Sequence, residues 1–204
     1  HLIEERALPV QRPGVPTMME QEASQPPLYY ALMAALSAWI DQSDLPQVRY
    51  LNPHARIGLA LAQDNKNIVV HPQPERFPWQ GAVLGVRWMR FWSLLLGAGT
   101  VWCAYRLGRR LFPARLEIAL GAMALTAFNP QFVFISTSVN NDNLVTLLAS
   151  LSLLGMARLI QEGSTWRQRA LLGGCIGLAC LSKLSGLALL PLAAAAAFEL
   201  LKVA

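Results

Sequence analysis

Ser136-Thr-Ser-Val-Asn-Asn-Asp-Asn143 separates two long apolar runs, about 116–135 before it and 144–160 after it. Crossing about 30 Å of hydrocarbon at about 1.5 Å per residue takes roughly 20 apolar residues in helical form. Both runs approach that length, so the polar octet reads as a short turn between two membrane-spanning helices. Outward from it, 81–105 forms another run long enough to span. The stretch 170–202 is too long for one untilted helix and short for two, and Lys183, Ser185 and Gly186 interrupt it. Two short helices, about 170–183 and 186–202, are the favoured division, and a single long tilted helix is the alternative.

The composition agrees, since 54% of residues are hydrophobic and only 14% charged, too apolar for an ordinary soluble domain. Residues 1–80 hold eight of the twelve acids and read as a solvated outer loop, whereas 81–204 is almost continuously apolar. Within the loop, Pro26-Pro27 suits the start of a helix over about 28–40, too short to cross and placed at the membrane interface. Pro46, Pro53, Pro72, Pro74 and Pro78 predict irregular structure over 41–80. The expected architecture is an all-α polytopic membrane protein with four or five transmembrane helices and an outer loop carrying an interfacial juxtamembrane helix. The chain starts at His1 and stops at Ala204 inside an apolar run, so both ends read as cut.

Orientation follows from the basic residues. Arg106, Arg109, Arg110 and Arg115 follow the first span, and Arg158, Arg167 and Arg169 mark the end of the third. The positive-inside rule places both clusters in the cytoplasm, which puts residues 1–80 and the Asp142 turn on the outer side. The net charge of +5 is thus a topology signal. It lacks the aromatic-interleaved patch of a nucleic-acid binder, and no nucleic-acid partner is expected. Cys103, Cys175 and Cys180 lie in apolar segments without zinc spacing and read as small hydrophobes. The absence of a Walker pattern, a dinucleotide fingerprint and a Gly-x-Ser-x-Gly elbow disfavours a soluble nucleotide donor.

Ionisable groups in or at the edge of a membrane are costly, so each is a functional candidate. Asp142 is the only acid between Glu117 and Glu162. With the amides of Asn140, Asn141 and Asn143 it can act as a base or bind a metal or a sugar hydroxyl. It can equally cap a helix beginning at Leu144. Lys183 can meet a lipid phosphate or snorkel to the interface. Arg87 and Arg90, on the outer side against the topology trend, can bind an anion or anchor the helix. Gln25-Pro-Pro-Leu-Tyr29-Tyr30 places two aromatic rings at headgroup level. His54 and His71, with Asp64, Asn65 and Lys66, match no metal-ligand spacing and read as solvated loop residues.

Six segments in order, Gln25-Pro-Pro-Leu-Tyr-Tyr, Arg90-Phe-Trp-Ser-Leu-Leu-Leu-Gly, Tyr105-Arg-Leu-Gly-Arg-Arg-Leu-Phe, Asn129-Pro-Gln-Phe, Ser138-Val-Asn-Asn-Asp-Asn and Leu181-Ser-Lys-Leu-Ser-Gly, resemble the N-terminal half of a known family. That family is the class C membrane glycosyltransferases dependent on polyprenyl-phosphate sugars, which include protein O-mannosyltransferases and lipid A aminoarabinose transferases. The resemblance implies a bacterial cytoplasmic-membrane enzyme with its active site on the outer side. Its donor would be a polyprenyl-phosphate-linked sugar, its acceptor a lipid, glycan or protein, with membrane lipids as further partners. It implies Asp142 as the second acid of a two-acid site, able to orient the acceptor or hold a divalent metal ion. It also implies Lys183 and Arg90 near the donor phosphate, and Gln25, Tyr29 and Tyr30 near the entrance. The first acid, usually in an Asp-Glu pair, is not matched, because Glu4-Glu5 lies too close to Leu8-Pro9-Val10. It is expected upstream, which would leave this fragment inactive alone. Readings from other classes are a transporter or flippase-like carrier whose polar turn binds a solute, and a non-catalytic membrane subunit.

Overall fold

A computed structural model describes residues 25–55, 69–70, 76–163 and 165–203. They divide into two compact units, one of Leu36–Met89 and one containing His1–Ala35 and Arg90–Ala204. Helix α1 spans Leu28–Ser37, and Trp39 follows it in a turn, so the helix ends short of the expected residue 40. Its terminal carbonyl at Leu36 accepts from the indole nitrogens of both Trp39 and Trp88, each at 3.0 Å. These two side-chain donors satisfy an acceptor that the helix end leaves open.

The smaller unit corrects the expectation of purely irregular structure over 41–80. It contains a one-turn helix α2, Leu45–Val48, and a two-residue antiparallel ladder. In the ladder β1, Tyr50–Leu51, pairs with β2, Val69–Val70, in register Tyr50 to Val70. Asp44 sets the start of the long helix α3, Gly81–Leu111, its Oδ1 accepting from the Ala82 amide at 2.7 Å. Helix α3 continues past the expected end at residue 105, through Arg106, Arg109 and Arg110.

The regular elements among the larger unit's described residues are all helices, joined by short turns. The expected span over 116–135 is not one helix but two, α4, Leu116–Ala127, and α5, Pro130–Ser136, bent by 62°. Asn129-Pro130 causes the break, because a proline ring disfavours helical backbone in the preceding residue and has no amide to donate. Asn129 is accordingly extended, at φ −68° and ψ 119°, and its side chain caps α5 by accepting from the amides of Gln131 and Phe132. Then come α6, Asp142–Glu162, and α7, Trp166–Ser182. A tight 3₁₀ turn, Leu184–Ala188, leads into α8, Leu189–Val203. Among the described residues α6 is the one helix long and apolar enough to cross a membrane, and α4 with α5 makes a second if the bent pair is one span. That is fewer than the four or five spans expected. The 17-residue α7 and the 15-residue α8 are each shorter than a full span, and the apolar run of α3, though that helix is 31 residues long, is interrupted by Arg87, Arg90 and Arg106.

The unit has two poles. At one, Arg110 at the end of α3 bonds Glu162 at the end of α6 at 2.8 Å, with Arg158 pairing Glu162 at 3.0 Å. The short α3–α4 and α6–α7 connections bring Arg115, Arg167 and Arg169 to the same pole. At the other lie the α5–α6 turn and the α7–α8 elbow. Between them small polar residues, Ser93, Thr100, Ser136, Ser152 and Ser182, are buried among apolar ones such as Cys103, Leu148, Met156 and Ile176, while Leu125, Phe128, Phe134, Leu171 and Phe198 are exposed. Water penalises an outer surface of that kind, whereas lipid does not, and small residues let helices approach closely within it.

Gly108 shows how close. A Cβ there would stand 2.7 Å from the Ala119 Cα, so α3 and α4 touch backbone to backbone, while Gly173 faces open space. Gly108→Val is expected to destabilise the fold by about 1–3 kcal/mol. Gly173→Ala should leave the detergent-solubilised melting temperature unchanged or slightly raised, and equal melting of both variants would contradict the packing.

Candidate active site

Asp142 is the first residue of α6 and Lys183 the residue that ends α7, 41 positions later. Lys183 Nζ donates to Asp142 Oδ1 at 2.7 Å, with both side chains part-exposed. Each charge sits where a helix favours it, the acid in a first turn and the cation at a C-terminus. An ion pair open to solvent contributes about 0.2–1 kcal/mol.

Two further bonds hold the pair in register. Asn141, wholly buried, donates from Nδ2 to the Ser182 carbonyl at 3.3 Å, tying the residue before Asp142 to the residue before Lys183. Gly186 permits the elbow itself, because a Cβ there would meet the Ala179 carbonyl carbon at 2.5 Å. Lys183 is extended, at φ −159° and ψ 144°, which ends α7 and turns the chain into the 3₁₀ turn.

The asparagines around Asp142 have divided the work. Asn140 Oδ1 accepts from the Asp142 amide at 2.8 Å. Buried Asn143 donates from Nδ2 to the carbonyls of Ile135, Ser138 and Asn140 at 3.0–3.1 Å, closing the turn. The helix-capping alternative therefore holds for Asn140 only. The helix starts at Asp142 rather than Leu144, the N-cap residue Asn141 makes no side-chain capping bond, and the Asp142 carboxylate is turned to Lys183.

Tyr29 was expected at headgroup level and is instead wholly buried. Its hydroxyl accepts from the Asn140 amide at 3.1 Å and shares a hydrogen bond with Ser93 Oγ at 2.7 Å. It is thus an internal strut joining α1 and α3 to the turn. Tyr30 packs edge-on against it, with centroids 5.3 Å apart. Gln25 lies before the start of α1 and is half-buried, its Oε1 without a partner among the described residues. Arg90 is exposed on α3, one turn before Ser93, with no bond to the Asp142–Lys183 pair. In the smaller unit Arg87 stacks on Trp79 at 5.2 Å, and His54 is exposed. His71, Asp64, Asn65, Lys66 and Glu4-Glu5 lie outside the described residues.

Among the described residues, the donors around Asp142 do not make up a divalent-metal site. Lys183 takes Oδ1, and no group of three His, Cys, Asp or Glu stands together among the described residues. The ion pair was missed in the sequence because 41 residues separate its members. Its signal was present, since each is an isolated charge at the boundary of an apolar run.

Burial, outweighing its hydrogen bonds to Ser93 and Asn140, pushes the Tyr29 phenol above its ordinary value of 10.0. A group raised on folding stabilises the fold below its unfolded value and loses that contribution as pH rises through the folded one. Stability should therefore fall above about pH 10, and less so in Tyr29→Phe. At neutral pH the same variant should cost about 1–3 kcal/mol, because it strands the Asn140 amide. Thermal melts across pH check both, and a variant melting like the parent at neutral pH would contradict the strut.

The family model for dolichyl-phosphate-mannose-protein mannosyltransferases matches residues 84–203, which include Arg90, the 138–143 turn and Lys183. No curated relative and no solved structure matches the chain. The match covers more than half of the sequence, and the many large apolar side chains exposed on the helices accord with a lipid setting. The chain belongs to the dolichyl-phosphate-mannose-protein mannosyltransferase family, membrane glycosyltransferases of class C type.

Proposed function

We propose that the protein transfers a sugar from a polyprenyl-phosphate donor to a hydroxyl of a lipid, glycan or protein acceptor, on the outer face of a bacterial cytoplasmic membrane. The observation that carries this reading is the Asp142–Lys183 pair, an acid and a cation at the pole opposite the arginine cluster. If that cluster is cytoplasmic, as the positive-inside rule has it, the pair faces outward, where lipid-linked sugars are consumed. Membership in a transferase family favours transfer over a solute carrier or a non-catalytic subunit.

In the reaction the acceptor oxygen attacks the anomeric carbon as the bond from that carbon to the phosphate oxygen breaks, with inversion. The electron pair leaves on the lipid phosphate, and the acceptor proton passes to a general base. Asp142 is assigned to orienting the acceptor hydroxyl, and the base to an acid of the first outer loop. Lys183 stabilises the negative charge on the departing phosphate, an interaction that low local dielectric strengthens. Arg90 is placed further along the lipid phosphate's approach. Asn140, Asn141, Asn143 and Tyr29 shape the turn from within, and Gln25 and Tyr30 border the donor's path.

Asp142→Asn in the full-length protein should lower transfer from a lipid-linked sugar donor by about 10²-fold, the scale lost when a reacting group is misplaced. Product formation in membrane vesicles measures it, and undiminished transfer would sink the role given to Asp142.

A further inference from the structure

We infer that the Asp142 carboxylate occupies, in the ligand-free protein, the place on Lys183 that a phosphate takes when the donor binds. This inference rests on the transferase reading above and adds to it an order, in which donor binding frees the acid that orients the acceptor.

Lys183 Nζ bonds the Asp142 carboxylate at 2.7 Å, and no other anion reaches that ammonium among the described residues. The side chains of Lys183 and Asp142 are 28% and 35% exposed, so an incoming anion can reach them without unfolding the turn. Their backbones are fixed independently of the ion pair, through Asn141 to Ser182, Asn140 to the Asp142 amide, and Gly186 against Ala179. Breaking the pair therefore leaves both residues' backbones in place and only their side chains to move. The released carboxylate still sits at the first turn of a 21-residue helix, where its charge is favoured. A phosphodiester carries one negative charge, as the carboxylate does, so one monoanion replaces another on the same cation. With Oδ1 taken by Lys183, Asp142 offers an acceptor hydroxyl a partly neutralised carboxylate; after the exchange it offers a full one.

The test is the affinity of full-length protein in nanodiscs for a short-chain polyprenyl monophosphate. Asp142→Asn should bind it about threefold to fivefold tighter than the parent, the size of a part-exposed ion pair. Lys183→Gln should bind more weakly, and the double variant no more tightly than Lys183→Gln. Asp142→Ser, which removes the charge with a different shape, must move the affinity in the same direction as Asp142→Asn. Unchanged or weaker binding by the Asp142 variants, with Lys183→Gln still weakened, overturns the exchange but keeps Lys183 as the phosphate's partner. Unchanged binding by Lys183→Gln overturns both the exchange and that part of the proposed function. Inorganic phosphate and phosphatidic acid serve as parallel probes. Tightening with all three supports exchange at a site reading the phosphate group alone, and tightening with the polyprenyl compound only supports exchange at a site that also reads the chain.

Discussion

Opposite charges on Asp142 and Lys183 meet across the start of α6 and the end of α7, and the architecture of one pole of the larger unit is arranged to let them do so. The proline at 130 bends the chain before the turn, and the amide of Asn143 closes that turn on three carbonyls. Asn141 then fixes the register of the turn against the elbow, and Gly186 lets the elbow lie directly on the last turn of α7. Each of these residues acts on the backbone, so the ion pair at the surface is positioned by a scaffold that does not include it. This separation is what allows a weak, part-exposed pair to be placed well and still be opened by a ligand.

The same unit shows a distribution of side chains that water would not support. Serines and asparagines are buried among Leu144, Leu148, Met156 and Ile176, while many other leucines and phenylalanines look outward. In lipid the apolar exterior costs nothing, and association relies on close backbone approach and internal hydrogen bonds. Gly108 against Ala119 supplies the first, and Tyr29 between Ser93 and Asn140 supplies the second. The family to which the chain belongs gives this apolar exterior its setting.

Much of the helical plan was legible because apolar length and basic ends are local signals. The runs around Asn140-Asn141-Asp142-Asn143 and the arginine clusters could be read directly. The bend at Asn129-Pro130 is equally local, yet a length ruler counts residues rather than direction and passed over it. The extent of α3 was underestimated because arginines read as a stop, although Arg106 and Arg110 continue the helix with their heads bonded or stacked outside it. The site was legible in its parts and not in its assembly. Asp142 and Lys183 stood out as isolated charges, whereas their meeting depends on the packing of α7 on α6. Tyr29 was read from its aromatic neighbours as an interfacial ring, and only tertiary structure shows its hydroxyl buried against Asn140.

The most direct test is an experimental structure of the full-length protein in a lipid bilayer, determined with and without a polyprenyl phosphate. The account predicts the Lys183 ammonium at hydrogen-bond distance from the Asp142 carboxylate in the free protein and turned to the phosphate in the complex. A Lys183 that faces away from Asp142 in both states would contradict it.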